Sequence, residues 1–388
     1  MKRIRIGLLP KVLLAIALGI GCGFFFPVWL SRIFLTFNDI FSNLLGFVIP
    51  LLIVGLVAPG IADLGKGAGR LLAITALLAY GFTIFSGLFT YGAGLLSYPW
   101  LLQGDTLQGL DEKATALTSY FTIAIPPIMD VMSALVLAFV LGLGMAAIGS
   151  DKLKGVMDDF KGVIELTILR VIIPLLPLYI FGIFLSMTVS GQVASVLHVF
   201  LKLILLIFVL TVILLIFQFT VAGAVAKKNP FRLLKNMMTA YVTALGTQSS
   251  AATIPVTLEQ TIRNGVRPEV AGFVVPLCAT IHLSGSTMKI VACALAIMLL
   301  EGIPVDPLLF IGFILMLGIT MIAAPGVPGG AIMAALGLLQ SMLGFDETTS
   351  GLMIALYIAM DSFGTATNVT GDGAVAHIID KIAGKKLK

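Results

Sequence analysis

Long apolar segments follow one another along the first 230 residues, and most charged residues lie between them. Each segment is long enough to cross a bilayer, which takes about 20 apolar residues. Charged residues make up 11% of the chain, against about 25% in an average soluble domain. A chain this apolar cannot cover its surface in water, so we expect a multi-pass protein of a cell (plasma or inner) membrane. The segments are 8–29, 33–61, 71–98, 121–148, 164–190 and 194–226.

The charges between these segments predict the orientation of the chain. Lys and Arg cluster before the first segment and after the second, fourth and sixth, whereas the loop after the third carries acidic residues. Because cytoplasmic loops carry an excess of Lys and Arg, we expect both termini to be cytoplasmic. Residues 1–26 could pass for a signal peptide. No small-residue cleavage site closes them, so we interpret them as an uncleaved first span.

The pattern changes after residue 230, where two apolar segments are interrupted in the middle. Segment 231–265 is broken by GTQSSAATIP, and segment 307–344 is broken by AAPGVPGG. Each half is too short to span a bilayer, so we interpret both segments as re-entrant helical hairpins. Arg263 and Arg267 support this interpretation, because a full crossing by the first of these segments would place them outside.

An apolar segment follows each hairpin, at 268–300 and at 348–379, and the two hairpin-plus-span units enter from opposite sides. Inverted repeats with broken helices are typical of secondary transporters. Irregular backbone at membrane depth persists only where it is buried in protein or lines a wet cavity, so two breaks indicate one shared cavity. We therefore predict an all-α membrane protein with eight transmembrane helices and two re-entrant hairpins.

The last apolar segment carries polar residues at helical spacing, which places them on one face of a helix. A charged residue at the centre of a span costs roughly 2.5–3.5 kcal/mol on insertion scales. Two aspartates there favour a binding site over a polar stripe that joins helices. The residues of this face are Asp361, Thr365, Asn368 and Asp372.

The hairpin tips add candidate ligands for a solute. The first tip offers Ser249 and Ser250, and the second offers Gly326 and Val327. Free N–H groups at the starts of half-helices suit a substrate carboxylate. Alone, the sequence SSAAT would be read as a turn of small residues, but beside a helix with two aspartates it indicates a site.

Segment 268–300 places small polar residues, a His and a Lys at membrane depth. A helix unwound there could offer carbonyl oxygens to a cation. Lys289 lies too centrally to reach the interface easily, so we expect it to pair with Asp361 or Asp372. For His282, a packing role and a functional role both remain open.

Residues 231–380 resemble the dicarboxylate/amino-acid:cation symporter family, which includes the glutamate transporters. The matching motifs are SSAATIPVT, PLCATIHLSGS, GVPGGAIM and TNVTGD, in that order. The resemblance implies a homotrimer, an elevator-like motion and no cofactor other than the coupling ion, Na⁺ or H⁺. It also implies a division into scaffold spans in 1–70, a mobile third span at 71–98, further scaffold spans in 99–193 and a transport core in 194–388.

The resemblance also implies roles for individual residues. Asp361 matches the residue that binds a substrate ammonium group. Asn368 and the amide near Ser250 match the groups that hold the substrate α-carboxylate, and Asp372 with the Asn368 carbonyl matches cation ligands. Backbone oxygens near Thr280, Met321, Ile322 and Ala324 match a second cation site, and Tyr80 and Thr83 resemble part of a third.

Departures from the family bear on the substrate and on coupling. The arginine that clamps an acidic side chain falls at Gly364, which leaves space and no partner for a second carboxylate, so we expect a small neutral amino acid. The aspartate with which members of this family ligate a cation falls at Ser284, so we expect fewer bound sodium ions than in the archaeal members of the family, which include an aspartate transporter. A tethered amine on Lys289, or a proton on His282, could replace one sodium ion.

Other functions remain open at this point. One alternative is a dicarboxylate carrier of the same family. Such carriers keep the arginine that falls at Gly364 here and lack the aspartate that is Asp361 here, so this chain has the opposite pattern. An intramembrane aspartyl protease, suggested by Gly371 and Asp372, needs aspartates on two facing helices. A channel is allowed by the two re-entrant segments. We expect a transporter rather than an enzyme, in a lipid bilayer, with a small amino-acid or carboxylate substrate and no nucleic-acid partner.

Overall fold

The computed structural model of the chain is all-helical over the residues that it describes, with fifteen α-helices and no strand in those ranges. The all-α class predicted from the sequence is therefore confirmed for this part of the chain. The described residues are 8–65, 70–103, 118–149, 151–191, 193–322, 324 and 328–384.

The first seven helices correspond to the six apolar segments expected before residue 230. Most of them end at Gly, Pro or loop residues close to the predicted bounds. They are α1 (Leu8–Gly23), α2 (Val28–Gly65), α3 (Arg70–Leu101), α4 (Val131–Ile148), α5 (Asp151–Thr167), α6 (Ile173–Val189) and α7 (Val193–Ala226).

The segment predicted at 121–148 becomes helical later than expected, at Val131. Pro126 and Pro127 disfavour helix in the residues before it. The Asp130 side chain then caps α4, since its carboxylate accepts a hydrogen bond from the Ser133 N–H at 2.9 Å. The prediction of a helix from residue 121 was therefore wrong by ten residues.

The segment predicted at 164–190 begins earlier than expected, because α5 continues through a π-helical turn at 168–172 into α6. Residues 151–163 carry many charges, so hydropathy alone assigned them to a loop. They form an amphipathic helix that buries Met157 and Ile164 on one side.

The C-terminal half contains eight shorter helices with breaks between them. Their order is compatible with the two hairpin-plus-span units expected from the sequence. They are α8 (Pro230–Thr247), α9 (Ser250–Arg263), α10 (Pro268–Ile281), α11 (Ser284–Glu301), α12 (Pro307–Ile322), α13 (Gly330–Leu343), α14 (Glu347–Ala359) and α15 (Asp361–Ala383).

The breaks in the two hairpin segments have local causes. After α8, Gln248 takes a left-handed backbone with φ 54°, and Ser249 caps α9 by accepting a hydrogen bond from the Ala252 N–H. Before α13, Gly329 has φ 75°, a conformation that glycine adopts without strain. The arms of each hairpin contact each other, α8 with α9 and α12 with α13.

The two spans that follow the hairpins are also broken. The helix unwinds at His282 and Leu283, between α10 and α11, within the run of small polar residues noted in the sequence. A second break, at Met360, was not predicted and bends α14 from α15 by 60°. Asp361 therefore opens a helix instead of lying in the middle of one, and the positive end of the α15 dipole faces its carboxylate.

Length and composition identify membrane-spanning candidates among the described helices. Five are long and apolar enough, and the bent pair α14–α15 makes a sixth. The full arrangement of eight spans and two re-entrant hairpins stays a prediction. The five ranges are Val28–Ala62, Leu71–Leu101, Asp151–Val189, Val193–Ala226 and Pro268–Glu301.

Helix α15 lies at the centre of the C-terminal half and contacts α7, α8, α9, α10 and α11. Nearly all its residues from Asp361 to Ile379 are buried, polar ones included. In the N-terminal half, α2 packs against α4, and α1 packs against α6. The helix with the polar face is thus enclosed by protein along most of its length, as a site between broken helices requires.

Candidate substrate and cation site

The polar face predicted on the last span lies on α15 and is buried. Asp361, Thr365, Asn368 and Asp372 are each less than 8% exposed. A buried polar group needs a hydrogen-bond partner or a ligand, and a buried charge needs more. The partners of these side chains therefore decide what the site can bind.

A small cavity brings the hairpin tips, the unwound segment and α15 together. Its volume is ≈ 30 Å³. The two breaks thus share one cavity, as expected from the sequence. Its lining is mostly polar and consists of Gln248, Ser250, Ala279, Leu283, Ser286, Ala324, Ala331, Tyr357, Asp361, Thr365 and Asn368.

Both carboxylate oxygens of Asp361 have partners. Oδ1 lies 3.2 Å from the Lys289 ammonium, and Oδ2 accepts a hydrogen bond from the Gly329 N–H at 2.8 Å. Of the two aspartates proposed as partners of Lys289, the structure pairs it with Asp361. The second hairpin tip and α11 therefore meet at one carboxylate.

The Lys289 side chain is completely buried and has further contacts. Its ammonium donates to the Met360 carbonyl at 3.3 Å and lies 3.8 Å from the centre of the Tyr357 ring. The carbonyl belongs to the C-terminal end of α14, which is the negative end of a helix dipole. The break between α14 and α15 thus places a cation and an anion at the helix ends that stabilise each of them.

The sequence suggested that Gly364 leaves open space for a substrate. In the structure that space is occupied. A Cβ atom built at Gly364 would overlap the Cε and Nζ atoms of Lys289. The side chain of Lys289 therefore fills the volume beside this glycine. A basic group is present there after all, supplied by α11 instead of α15.

Asn368 is fixed by the start of α11. Its Oδ1 accepts from the Gly285 N–H at 2.8 Å, and its Nδ2 donates to Ser286 Oγ at 3.1 Å. Tyr357 Oη lies 3.0 Å from the same Ser286 hydroxyl. These bonds join the cavity lining to the unwound segment and orient the amide nitrogen of Asn368.

A second buried pair, a histidine and a carboxylate, lies three turns further along α15. His282 Nδ1 is 2.9 Å from Asp372 Oδ1, and both side chains are buried. Asp372 Oδ2 has no hydrogen-bond partner among the described residues, and neither has the buried Gln218 Oε1. Gln218 Nε2 donates to Ser284 Oγ at 3.0 Å, which places the amide in this cluster. Unpaired oxygens of this kind suit a hard cation.

Sequence reasoning missed Gln218. It is the only Asn or Gln in the apolar segment 194–226, and that isolation was an available signal. A Cβ atom at Gly371 would lie 2.6 Å from both Gln218 Oε1 and His282 Cε1. Gln218 therefore reaches the residue beside Asp372, and glycine at 371 makes that approach possible.

Tyr80 and Thr83, expected in a third cation site together with Ser284, form hydrogen bonds away from the cluster around Asp372 that contains Ser284. Tyr80 Oη donates to the Leu315 carbonyl on α12 at 3.3 Å, and Thr83 Oγ1 donates to the carbonyl of Ala79 in its own helix. Other residues of α3 approach the cluster instead. Ser86 Oγ donates to the Ser284 carbonyl at 2.6 Å, and the Phe82 ring meets the His282 ring edge-on.

The residues expected in a second cation site lie on helices that contact each other, α10 and α12. Thr280 is near the end of α10, and Met321 and Ile322 end α12. Ala324 lines the cavity that Asp361 also lines.

The hairpin tips hold the remaining predicted ligands. Ser249 caps α9, and Ser250 lines the cavity as the first residue of that helix. Gln248 Nε2 donates to Ser362 Oγ at 3.0 Å, which fixes the first tip to α15. Gly326 and Val327 lie outside the described residues.

Comparison with known proteins identifies the family of the chain. The model of the sodium:dicarboxylate symporter family matches residues 8–382, almost the whole chain. The chain belongs to this family. It is therefore a multi-pass membrane transporter and not an enzyme, and the family resemblance found in the motifs is confirmed.

Individual relatives give the same family. The serine/threonine transporter SstT of Acinetobacter baumannii (strain AYE) is 28% identical, over 97% of both proteins. SstT of Acinetobacter baylyi is 26% identical, over 97% of this chain and 98% of its own length. Excitatory amino acid transporter 3 of Mus musculus is 34% identical, over 42% of this chain and 31% of its own.

Proposed function

We propose that this chain is a cation-coupled symporter of a small neutral amino acid. The observation that carries the proposal is the meeting of Asp361, Asn368 and the start of α9 at one cavity. These groups offer a carboxylate, an amide nitrogen and free backbone N–H groups, which suit the ammonium and the carboxylate of an amino acid. Relatives named as serine/threonine and excitatory amino acid transporters support the same substrate class.

The substrate carboxylate is proposed to lie at the start of α9. Ser250 is the first residue of this helix, and the N–H groups of a first turn have no intrahelical partners. They carry the positive end of the helix dipole and bind anions readily. Asn368 Nδ2, which also donates to Ser286, offers a second donor in the lining of the cavity.

A neutral side chain is proposed because of the lining. Among the described residues that line the cavity, none is Arg or Lys, and Asp361 is the one carboxylate. A second substrate carboxylate would have to be buried without a cationic partner of its own, which is costly. Small size is proposed because Ala279, Leu283 and Ala331 close the apolar side of the cavity.

The coupling ion is proposed to bind beside Asp372. The free oxygens of Asp372 and Gln218 would serve as ligands for sodium, the ion in the family's name. Backbone oxygens near Thr280, Met321 and Ile322 remain proposed for a further ion, and Tyr80 and Thr83 for a third. Both termini are proposed to be cytoplasmic.

The transport cycle is proposed to follow alternating access. Spans in 1–70 and 99–193 would form the scaffold of a homotrimer. Residues 71–98 and 194–388 would move as one transport unit in an elevator-like step. The break-rich half would then carry the substrate, as in other transporters with discontinuous helices.

Uptake into proteoliposomes tests this function. With an inward sodium gradient, radiolabelled L-serine is expected to accumulate above the external concentration and to saturate. Collapse of the gradient is expected to stop accumulation, whereas a channel would only equilibrate the solute. Absence of gradient-driven uptake for serine, alanine and threonine would refute the proposal, and stronger competition by succinate than by serine would indicate a dicarboxylate carrier.

A further inference from the structure

The carboxylate proposed to bind a substrate ammonium already holds one. Lys289 and Asp361 are paired at 3.2 Å, and the other oxygen of Asp361 accepts the Gly329 N–H. Lys289 also contacts the Met360 carbonyl and the face of Tyr357. A substrate ammonium must therefore displace the lysine or leave Asp361 unused.

The ion pair lies directly behind the cavity wall. Asp361 and Tyr357, which both contact Lys289, line the cavity, and so does Ser286, three residues before Lys289 on α11. The lysine itself fills the volume over Gly364. A short movement of a flexible, unbranched side chain would therefore bring its ammonium into the cavity.

The cost of leaving a buried charge unpaired restricts which solutes can bind between Lys289 and Asp361. Removing one partner from a buried ion pair is strongly destabilising, because the other charge stays buried without compensation. A solute with only an ammonium would take Asp361 and leave Lys289 unpaired. A solute with only a carboxylate would take Lys289 and leave Asp361 unpaired. A solute that carries both charges leaves neither unpaired.

We propose that the substrate enters between Lys289 and Asp361 as a zwitterion, with its ammonium on Asp361 and its carboxylate on Lys289. A carboxylate has two oxygens, so one can meet Lys289 while the other meets the N–H groups at Ser250. Lys289 is then a specificity-determining residue that selects α-amino acids over amines and simple carboxylates. This inference rests on the proposed function and refines its substrate class.

Binding to the wild-type protein tests the inference without any mutation. L-Serine is compared at pH 7, in sodium, with serinol, which lacks the carboxylate, and with 3-hydroxypropionate, which lacks the ammonium. Isothermal titration of protein in lipid nanodiscs is expected to show serine binding. Each single-charge analogue is expected to bind at least about 100-fold more weakly, since each leaves one buried charge unpaired. Binding of either analogue within about 10-fold of serine would overturn the inference.

Variants of Lys289 assign the effect to this residue. In Lys289→Met, the preference for serine over serinol is expected to fall at least about 10-fold, because the carboxylate loses its partner while Asp361 becomes free. Lys289→Arg keeps the charge and is expected to keep the preference. Lys11→Met, an exposed lysine of α1, is the matched control and is expected to change nothing. A folded Lys289→Met protein with the wild-type preference would overturn the inference.

Failure of the inference can be told apart from failure of the proposed function. If neither serine nor alanine nor threonine binds the wild-type protein in sodium, the proposed function fails. If serine binds but an analogue with a single charge binds equally well, only the zwitterion requirement fails. Should Lys289→Met not fold, the three wild-type titrations still decide.

Discussion

Two buried aspartates three turns apart on α15 have different surroundings. Asp361 faces the cavity, and both of its oxygens are used, by Lys289 and by the second hairpin tip. Asp372 is paired through one oxygen with His282, and its other oxygen has no hydrogen-bond partner among the described residues. Both oxygens of Asp361 are thus occupied without a ligand, whereas one oxygen of Asp372 is available to a ligand.

The difference suggests separate tasks for the two carboxylates. A complete ion pair can accept a ligand only by exchanging partners, which suits a substrate that carries its own charges. A carboxylate with a free, buried oxygen beside another free oxygen can accept a small cation directly. We therefore propose that the substrate binds at Asp361 and the coupling ion at Asp372, and the predictions below test that assignment.

The largest effect is expected for Asp361→Asn. Serine uptake should fall at least about 100-fold, because the substrate ammonium loses its partner and Lys289 is left buried and unpaired. The double variant Asp361→Asn/Lys289→Met should recover thermal stability without recovering uptake. Glu259→Gln, which removes an exposed charge from the first hairpin, serves as the control. Uptake by Asp361→Asn within a few-fold of wild type would remove Asp361 from the site.

Asp372→Asn is expected to weaken sodium binding more than serine binding. The sodium concentration for half-maximal serine uptake should rise about 10- to 100-fold, because a cation loses a carboxylate ligand. Serine affinity at saturating sodium should change much less. Sodium-titrated uptake measures both quantities, and an unchanged sodium dependence would contradict the assignment.

Gly364→Ala tests whether Lys289 must keep its place. The added methyl group would displace the end of the Lys289 side chain from its position beside Asp361, so serine affinity should fall about 10-fold. Gly272→Ala on α10 is the control, because its Cβ would meet nothing within 4 Å. An unchanged affinity in a folded Gly364→Ala protein would show that the position of Lys289 does not matter.

The same geometry decides what an arginine at position 364 can do. On its own, Gly364→Arg would collide with Lys289 and is expected to abolish serine binding. Combined with Lys289→Met, the arginine gains room and a carboxylate neighbour. The double variant is then the one expected to gain affinity for aspartate, measured by competition against serine.

The smallest effect is expected for Gln218→Leu. One neutral oxygen is removed from the cation cluster, so the sodium requirement should rise about threefold to tenfold, less than for Asp372→Asn. Gln340→Leu, on α13 and outside the cluster, provides the comparison. If Gln218→Leu left the sodium dependence unchanged, Gln218 would be a packing residue of α7 and not a ligand.

Local patterns predicted the parts of the site that depend on one helix. The spacing of Asp361, Thr365, Asn368 and Asp372 was enough to place them on one face. The run of small polar residues around His282 marked a segment whose carbonyls could serve a cation, and the helix unwinds within that segment. The requirement for an anionic partner of Lys289 followed from burial alone, because an unpaired charge at that depth is too costly.

Features that depend on how helices cross were not predictable in this way. Which aspartate meets Lys289 is decided by the packing of α11 on α15, and the filling of the space at Gly364 follows from the same packing. The break at Met360 has no Pro or Gly to mark it. Residues 151–163 were missed because a charged amphipathic helix has low hydropathy.

Sodium binding to the Asp361→Asn protein, measured by isothermal titration in lipid nanodiscs without substrate, tests the separation of tasks most directly. If Asp372 and Gln218 hold the ion, sodium affinity should stay within about threefold of the wild type, although serine binding is lost. If sodium binding disappears together with serine binding, the two aspartates form one site, and the assignment of substrate to Asp361 and ion to Asp372 is wrong.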